Sequence, residues 1–540
     1  ALRIALALRP GLWADEIFSL AMATGHSLEH PAAVADPALG DFVEPPQAET
    51  ASDFRPYLQH DDSPAGPGRV IRAVQLSDTS PPLYYLLLNA WTRVAGTSDA
   101  ALRLFSTLWA VASFPLLWHL GRHIGGRRAA WAACILFTFA PAALHYSAEG
   151  RMYSLVWFLG LALACLSLEL ARRGPRPHLL LLWGLGGAAG LLTHYFFAFG
   201  WLACFGWLWF HPHRVRRSQL TAVAALTGLI VLPWYLELSD SLGRWRITGD
   251  WLAHPLSWGE ALRAPFILAW SLLSARGAWG GPAWADGLAA GICALIALVV
   301  LRQGLGPLLS RRRALPWLWV LAASVGPVLF DLFMGTNAST KARYALPGLP
   351  AAMLLAAFCM TRLPRRAYWA FLMLLLFAWQ PTVRGFFSGP CRPWEPYREV
   401  AARLAVWAEA SDLIIVHSIP SGVLGVARYL NTNAALASWI VQLGQRQVPE
   451  DMGALVFGRR KVALAKIHAL GEPSPAEAWL LRHATLGRRD TLNVDPLAEV
   501  LYFRLQPSDG GRSAIHRPAW NRSMPSVPGT PVPRARRSAG

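Results

Sequence analysis

Apolar residues fill the first 383 positions in long blocks, and charged residues gather in the short breaks between them. A helix that crosses a bilayer needs about 20 largely apolar residues. Blocks of that kind lie at roughly 100–120, 129–147, 153–171, 178–193, 195–210, 219–236, 284–301, 315–334, 345–361 and 367–383. The first dozen residues read as the end of one more span that begins upstream of Ala1, which brings the expectation to about eleven transmembrane helices. Residues 83–96 are half polar and follow Pro81-Pro82, which predicts a helix lying at the membrane interface rather than crossing it. Residues 261–275 form a second candidate of that kind.

After residue 383 the pattern changes. Helical periodicity covers 394–410, a strand pattern 412–417, a helix 421–430, a strand 461–467, a helix 475–484 and a closing strand 499–505. This predicts a small α/β domain over 384–508 without a Gly-rich phosphate loop. Residues 509–540 are rich in Pro, Ser, Gly and Arg and read as a disordered tail. The fold class is thus a polytopic α-helical membrane protein with a C-terminal α/β domain, its membrane part occupying 1–383 with outer loops 13–99 and 237–283. Neither a solenoid repeat nor an inverted repeat of the transporter type is visible.

Composition sharpens this. Only 15% of the 540 residues are charged, against about a quarter in soluble proteins. A wholly soluble enzyme, a disordered chain and a small disulfide scaffold are excluded. The net charge of +18 invites a nucleic-acid reading, but the distribution argues against it. All basic residues except Lys341, Lys461 and Lys466 are Arg, which, with abundant Ala, Gly and Pro, suggests a GC-rich genome. The Arg form clusters in alternate loops: Arg122, Arg127 and Arg128; Arg172, Arg173 and Arg176; Arg214, Arg216 and Arg217; Arg302 and Arg311 to Arg313; Arg362, Arg365 and Arg366. That side is cytoplasmic by the positive-inside rule. The opposite loops hold Asp15, Glu16, the acids of 26–78, Glu149, Glu237, Asp240, Asp250 and Asp331, with Glu169 the exception. Eleven spans place the N-terminus in the cytoplasm and residues 384–540 outside. Five cysteines lie in apolar runs, and no CxxC or Cys/His metal spacing occurs.

Three outer segments stand out. Asp15-Glu16 follows the first span, and adjacent acids at a membrane boundary are costly unless solvated or used. They suit proton abstraction from a hydroxyl, although a charged helix end explains them as simply. Glu149 and Arg151 lie in a very short link between spans (145–153), spaced so that they can pair with each other or face the first loop. Lys341 and Arg343, beside Tyr344, are cations on the acidic side. They suit a lipid phosphate, or alternatively anchor a span by snorkelling. Asp78 and Tyr84 lead into the interfacial helix, Arg103 with Asp99 opens the next span, Tyr153 follows the second link, and His194 sits at a further outer turn, where an interface anchor is the simpler role. Most of the 26 Trp read as the aromatic belt.

Taken together, TrpAlaAspGluIlePheSer (13–19), AspThrSerProProLeuTyrTyrLeuLeuLeu (78–88), AlaLeuArgLeuPheSer (101–106), TyrSerAlaGluGlyArgMetTyrSerLeu (146–155), LeuThrHisTyrPhe (192–196), ArgTyrAlaLeuPro (343–347) and TrpGluProTyrArgGluValAlaAlaArgLeu (394–404) resemble the GT-C superfamily of polytopic glycosyltransferases. The resemblance is to the bacterial family 39 group, similar to protein O-mannosyltransferases and the lipid A aminoarabinose transferase, and it runs over most of 10–430. It implies transfer of a mannose-like hexose or a pentose from a polyprenyl-phosphate donor to an acceptor hydroxyl of a protein, lipid or glycan, with inversion, on the outer face of a bacterial inner membrane. It makes Asp15 the general base, with Glu16 and Glu149 as further catalytic acids. It assigns Lys341, Arg343, Tyr344 and Arg151 to the donor phosphate, and makes a divalent cation (Mg or Mn) optional. A flippase for lipid-linked sugars is the alternative, and it predicts ionisable residues in mid-span; a membrane-anchored scaffold is a weaker one.

Overall fold

The computed structural model describes residues 1–30, 34–78, 80–210, 215–244, 254–276, 281–304, 306, 310, 313–388, 396–440, 446–468, 473–492 and 498–505. The tail 509–540, Cys391 and parts of the 237–283 loop lie outside them. The chain is mostly helical: α1 (Leu2–Ala7), α2 (Ala14–Thr24), α3 (Ala51–Phe54), α4 (Pro67–Ser77), α5 (Leu83–Ala95), α6 (Asp99–Phe139), α7 (Pro141–Ser147), α8 (Tyr153–Arg173), α9 (Pro177–Leu191), α10 (Phe197–Trp209), α11 (Arg217–Arg244), α12 (Trp258–Ser271), α13 (Ala283–Arg302), α14 (Ala314–Met334), α15 (Leu349–Met360), α16 (Arg365–Gly385), α17 (Pro396–Trp407), α18 (Pro420–Tyr429), α19 (Glu450–Val456) and α20 (Pro475–His483). Among the described residues, six helical segments are long and apolar enough to cross a membrane: 99–139, 153–173, 217–237, 283–302, 314–334 and 342–360. The apolar helices α9 and α10 are shorter. The chain is a multi-pass membrane protein.

The 41 residues of α6 are not one rod. Gly125 and Gly126 leave helical geometry, Gly126 at φ 77°, a conformation that glycine adopts without steric cost. The two legs fold back on each other. Trp118 stacks edge-on with Trp131, and Phe114 with Phe137, at centroid distances of 4.8 and 5.3 Å. A Cβ on Gly121 would lie 2.7 Å from Ala130 Cα. The two blocks 100–120 and 129–147 are therefore the arms of a helical hairpin, with Arg127 and Arg128 at its tip. The second block is shorter than its hydropathy suggests, because Pro141 follows a break at Ala140 and starts the separate helix α7.

The C-terminal sheet has the order β2-β1-β3-β5-β4, with β1 (Leu413–Ser418), β2 (Ala435–Ile440), β3 (Lys461–Ile467), β4 (Ala484–Leu492) and β5 (Ala498–Leu505). Strands β1, β2 and β3 are parallel, and β5 is antiparallel to β3 and β4. The patterned strands β1, β3 and β5 and helices α17, α18 and α20 lie where the sequence predicts them; β2, α19 and β4 are additions. The long loop between α2 and α4 docks on this sheet: Glu49 and Leu436 exchange backbone hydrogen bonds at 2.9 and 2.7 Å. If the α6 hairpin is as tight as Gly121 requires, Gly121→Val separates its arms and costs about 1–3 kcal/mol. A thermal melt of the detergent-solubilised protein checks this; an unchanged melting temperature would rule the hairpin contact out.

Candidate active site

The first turn of α2 carries Asp15 and Glu16, and the helix sends them in different directions. Glu16 turns inward and is fully buried. Its Oε1 accepts from Arg103 Nε at 2.7 Å and from the Gly150 amide at 2.8 Å. Its Oε2 accepts from Arg103 Nη2 at 2.6 Å and from the Trp13 amide at 3.3 Å, closing the N-terminus of α2. Its oxygens are thus spent on the protein itself. Glu16 joins the start of α2 to α6 and to the 148–152 link, and it faces no open space.

Asp15 turns outward, its side chain 25% exposed. Two guanidinium groups converge on its Oδ2: Arg343 Nη1 at 3.2 Å and Arg151 Nε at 3.9 Å. Arg151 also reaches Asp78 Oδ2 at 3.3 Å, the Tyr85 hydroxyl at 3.1 Å and Ser19 Oγ at 3.3 Å. Tyr85 in turn donates to Asp78 Oδ2 at 2.9 Å. Segments far apart in the chain, namely 15–19, 78–85, 151 and 343, thus form one polar network. Arg151 does not pair with Glu149, contrary to the simpler expectation from their spacing.

Each arm of the network has a local cause. The 148–152 link is clamped by Thr107 Oγ1 and Ser106 Oγ, which donate to the carbonyls of Ser147 and Arg151 at 3.0 Å each. Gly150 packs on Leu102 so closely that a Cβ would fall 2.5 Å from the leucine Cγ. Ahead of Arg343, buried Asp331 at the end of α14 accepts from the Ala338 and Ser339 amides at 2.8 and 2.6 Å and fixes the turn. Helix α5 is tied to α2 by Asn89, whose Nδ2 donates to the Ala23 carbonyl at 2.7 Å.

Glu149 is buried next to this network, 3.3 Å from His145 Nε2, and its carboxyl oxygens make no hydrogen bond. Burial, with the negative charges of Glu16 and Asp15 added, pushes its pKa up to about 8. His194 is pushed down to about 3 by burial and by Arg151 and Arg343, so its imidazole is neutral. Its Nδ1 accepts from the Phe196 amide at 3.1 Å, and its ring lies 6.0 Å from that of Tyr153 and 6.5 Å from that of Tyr344. The rings of His194 and Tyr153 wall the network, whereas the Tyr344 side chain joins it by a hydrogen bond with Arg343, whose guanidinium also lies 5.4 Å over the Tyr344 ring. Lys341 is exposed, at the turn before Arg343.

The sequence singles out Tyr84, yet its hydroxyl pairs with Ser106 Oγ at 3.0 Å in the packed interior. Its neighbour Tyr85 joins the network instead. One residue on a helix is a rotation of about 100°, and the hydropathy of two adjacent tyrosines does not say which one faces the site. Ser19 and His145 were also not singled out; both lie within the conspicuous segments. Among the described residues, no group of three or more His, Cys, Asp or Glu is placed to hold a metal ion. The carboxylates of Asp15 and Asp78 face guanidinium groups instead.

Residues 79–236 match the family model described as dolichyl-phosphate-mannose-protein mannosyltransferase. Among curated proteins no significant match is found. Several solved structures are similar. ArnT from Cupriavidus metallidurans bound to undecaprenyl phosphate has a TM-score of 0.48 and 12% identity, over 93% of this chain and 95% of that one. Its apo form has a TM-score of 0.47 and 13% identity, over 79% and 89%. The Archaeoglobus fulgidus oligosaccharyltransferase AglB, in complex with an inhibitory peptide and a dolichol-phosphate, has a TM-score of 0.45 and 13% identity, over 85% and 66%.

Two predictions follow from the different fates of the acids. Glu16→Ala leaves Arg103 buried without its charge partner and costs about 3–5 kcal/mol, whereas half-open Asp15→Asn changes stability by less than about 1 kcal/mol. Chemical denaturation of both variants distinguishes them; equal losses would mean that Glu16 is no more structural than Asp15. Glu149 gives a pH dependence. Its folded pKa of about 8 exceeds the ordinary value of 4.5, so the folded state holds the proton more tightly. Its stabilising effect is complete below 4.5 and is lost as pH rises through about 8. The melting temperature should therefore fall more steeply over that window in the wild type than in Glu149→Gln. Parallel curves would show that Glu149 ionises normally.

Proposed function

We propose that the protein is an integral membrane glycosyltransferase. It moves a sugar, a mannose-like hexose or a pentose, from a polyprenyl-phosphate donor to an acceptor hydroxyl at the outer face of a bacterial inner membrane. The observation that carries this reading is the meeting of Asp15 with Arg151 and Arg343, in a chain whose residues 79–236 match a family of lipid-phosphate-dependent mannosyltransferases. About eleven spans, an outward C-terminal domain and a cytoplasmic N-terminus belong to the same proposal. The acceptor is a protein, lipid or glycan hydroxyl, and no nucleic acid takes part.

The chemistry follows from what such a reaction needs. A hydroxyl has a pKa far above neutrality, so it needs a base within hydrogen-bond reach. Asp15 is the exposed carboxylate of the network and takes that proton. The hydroxyl oxygen bonds to the anomeric carbon from the face opposite the phosphate. The bond from that carbon to the phosphate oxygen breaks, its electron pair leaves with the lipid phosphate, and the anomeric centre inverts. The leaving phosphate gains a negative charge, which needs cations more than a proton. Arg343 and Arg151, with Lys341 at the rim and Tyr344 beside them, supply that support. In this reading the phosphate takes over guanidinium N–H groups that otherwise face Asp15, which frees the base as the donor arrives. Glu149, protonated near neutral pH, is a neutral acid rather than a second base. Glu16 holds the loops in place.

The test is sugar transfer in membranes supplied with a panel of radiolabelled polyprenyl-phosphate sugars. Asp15→Asn should lower kcat by about 10²–10⁴-fold, with the protein still folded. Arg343→Ala should raise the donor KM by about 10–100-fold, the loss of one charge-assisted hydrogen bond of about 1.5–3 kcal/mol. Label leaving one donor in the wild type alone identifies the sugar. Equal transfer by Asp15→Asn would remove Asp15 from the mechanism, and no transfer from any donor by folded protein would favour a flippase.

A further inference from the structure

The segment Arg9–Trp13 leads into the first turn of α2 and has almost no regular structure of its own. Gly11 within it adopts φ 106°. Backbone groups in such a segment need partners from elsewhere, and here they come from two remote parts of the chain. From α6, Arg103 donates to the carbonyl of Arg9 at 2.7 Å and to that of Gly11. Asp99 Oδ2 accepts from the Gly11 amide at 2.8 Å. From the end of α18, beyond the membrane part of the chain, the Tyr429 hydroxyl accepts from the Leu12 amide at 2.8 Å and donates to Asp99 Oδ2 at 2.7 Å. Its neighbour Arg428 completes the arrangement, with Nε to Asp99 Oδ1 at 2.9 Å and Nη2 to the Thr97 carbonyl at 2.7 Å. The side chains of Arg428 and Asp99 are only 15% and 14% exposed.

The phenol is suited to this place because a hydroxyl donates and accepts at once. It joins Asp99, at the start of α6, to the peptide that sets the direction of α2. Helix α18 also packs directly on α2. The C-terminal α/β unit thus reaches past the surface of the membrane part and holds the backbone three residues ahead of Asp15.

We propose that Tyr429 and Asp99 are positioning residues for Asp15, and that the C-terminal α/β unit serves the reaction by locking the Gly11–Leu12 peptide. The proposal rests on the reading of Asp15 as the base. A base must sit within a few tenths of an ångström of its working position, and a displacement of about 1 Å costs on the order of 10²-fold in rate. Substrate-binding groups on Arg343 and Arg151 are untouched by the clamp. Loosening it therefore acts on turnover and leaves donor affinity alone.

The experiment compares Tyr429→Phe with Arg55→Ala in the full chain. Arg55 anchors the same end of α18, donating to the carbonyls of Ala427 and Leu430 at 3.2 and 2.7 Å, but makes no hydrogen bond to residues 9–13. Hydrogen–deuterium exchange over residues 9–17 and steady-state transfer are read for both. Tyr429→Phe should speed exchange of the Gly11 and Leu12 amides and lower kcat by about 10–100-fold, with the donor KM within about twofold of wild type. Arg55→Ala should leave both readouts at the wild-type level. Unchanged exchange in Tyr429→Phe would overturn the proposal, as would equal kcat losses in the two variants. If the wild type transfers no sugar from any donor, the reading of Asp15 falls, and the exchange data alone still decide whether Tyr429 holds this segment.

Discussion

The Arg103 guanidinium and the Glu16 carboxylate have no exposed surface, and the geometry around Asp15 depends on their pairing. Removing two charges from water is unfavourable unless attraction and hydrogen bonds together replace the lost hydration. Here they do. The guanidinium reaches both carboxylate oxygens and the carbonyls of Arg9 and Gly11. The carboxylate also accepts the amides of Trp13 and Gly150. One ion pair thereby joins the lead-in to α2, the start of α6 and the link before α8. The lead-in to α2 and the link before α8 have too little structure to hold their shape alone, and a loss of either charge releases both from α6.

This explains why two adjacent acids take unlike roles. A helix turns about 100° per residue, so only one of Asp15 and Glu16 can face the interior at this boundary. Glu16, with the longer side chain, reaches inward to Arg103. Asp15 stays at the rim, where its Oδ2 meets cations that come from two other segments. Glu149 shows what happens without a hydrogen-bonded cation. It is buried with two acids nearby, and it keeps a proton instead of a charge. Environment, more than residue type, divides the carboxyl groups of the site between ion-pair partner, open carboxylate and neutral acid.

Much of this was legible in the sequence, and the limits have physical causes. Apolar blocks and clustered Arg located the α6 hairpin, although hydropathy ran through the break at Ala140, after which Pro141 starts α7. Strands β1, β3 and β5 were visible because their residues are buried almost throughout. β4 was not, since Gly487, Arg488, Arg489 and Asp490 lie on an exposed edge and lack alternation. β2 was hidden by its Ala-rich sequence, a composition with weak strand preference. Asp15, Asp78, Arg151 and Arg343 could be picked out as charges in the breaks between apolar blocks, and the fold brings them together. The choice of Tyr85 over Tyr84 was beyond the sequence, because it depends on how α5 is rotated against its neighbours. So was the partnership of Tyr429 with Asp99, which lie 330 residues apart in segments whose local patterns carry no trace of each other.

The charge balance of the network bears on which state of a reaction it favours. Asp15 and Asp78 are matched by Arg151 and Arg343, and the surplus acid, Glu149, is protonated near neutral pH. In the proposed reaction a phosphodiester donor adds one negative charge to this balanced set, while the phosphate monoester that leaves carries close to two. Cations attract the more highly charged species more strongly in a site of low dielectric constant. Stabilisation therefore grows along the reaction coordinate, as catalysis requires and mere binding does not. In the proposed reaction, proton uptake by Asp15 acts in the same direction. It removes a negative charge beside the two guanidinium groups at the moment the phosphate gains one. A base and a cationic cradle placed apart would each work alone; held on a shared carboxylate oxygen, they exchange one negative partner for another without leaving the site unbalanced.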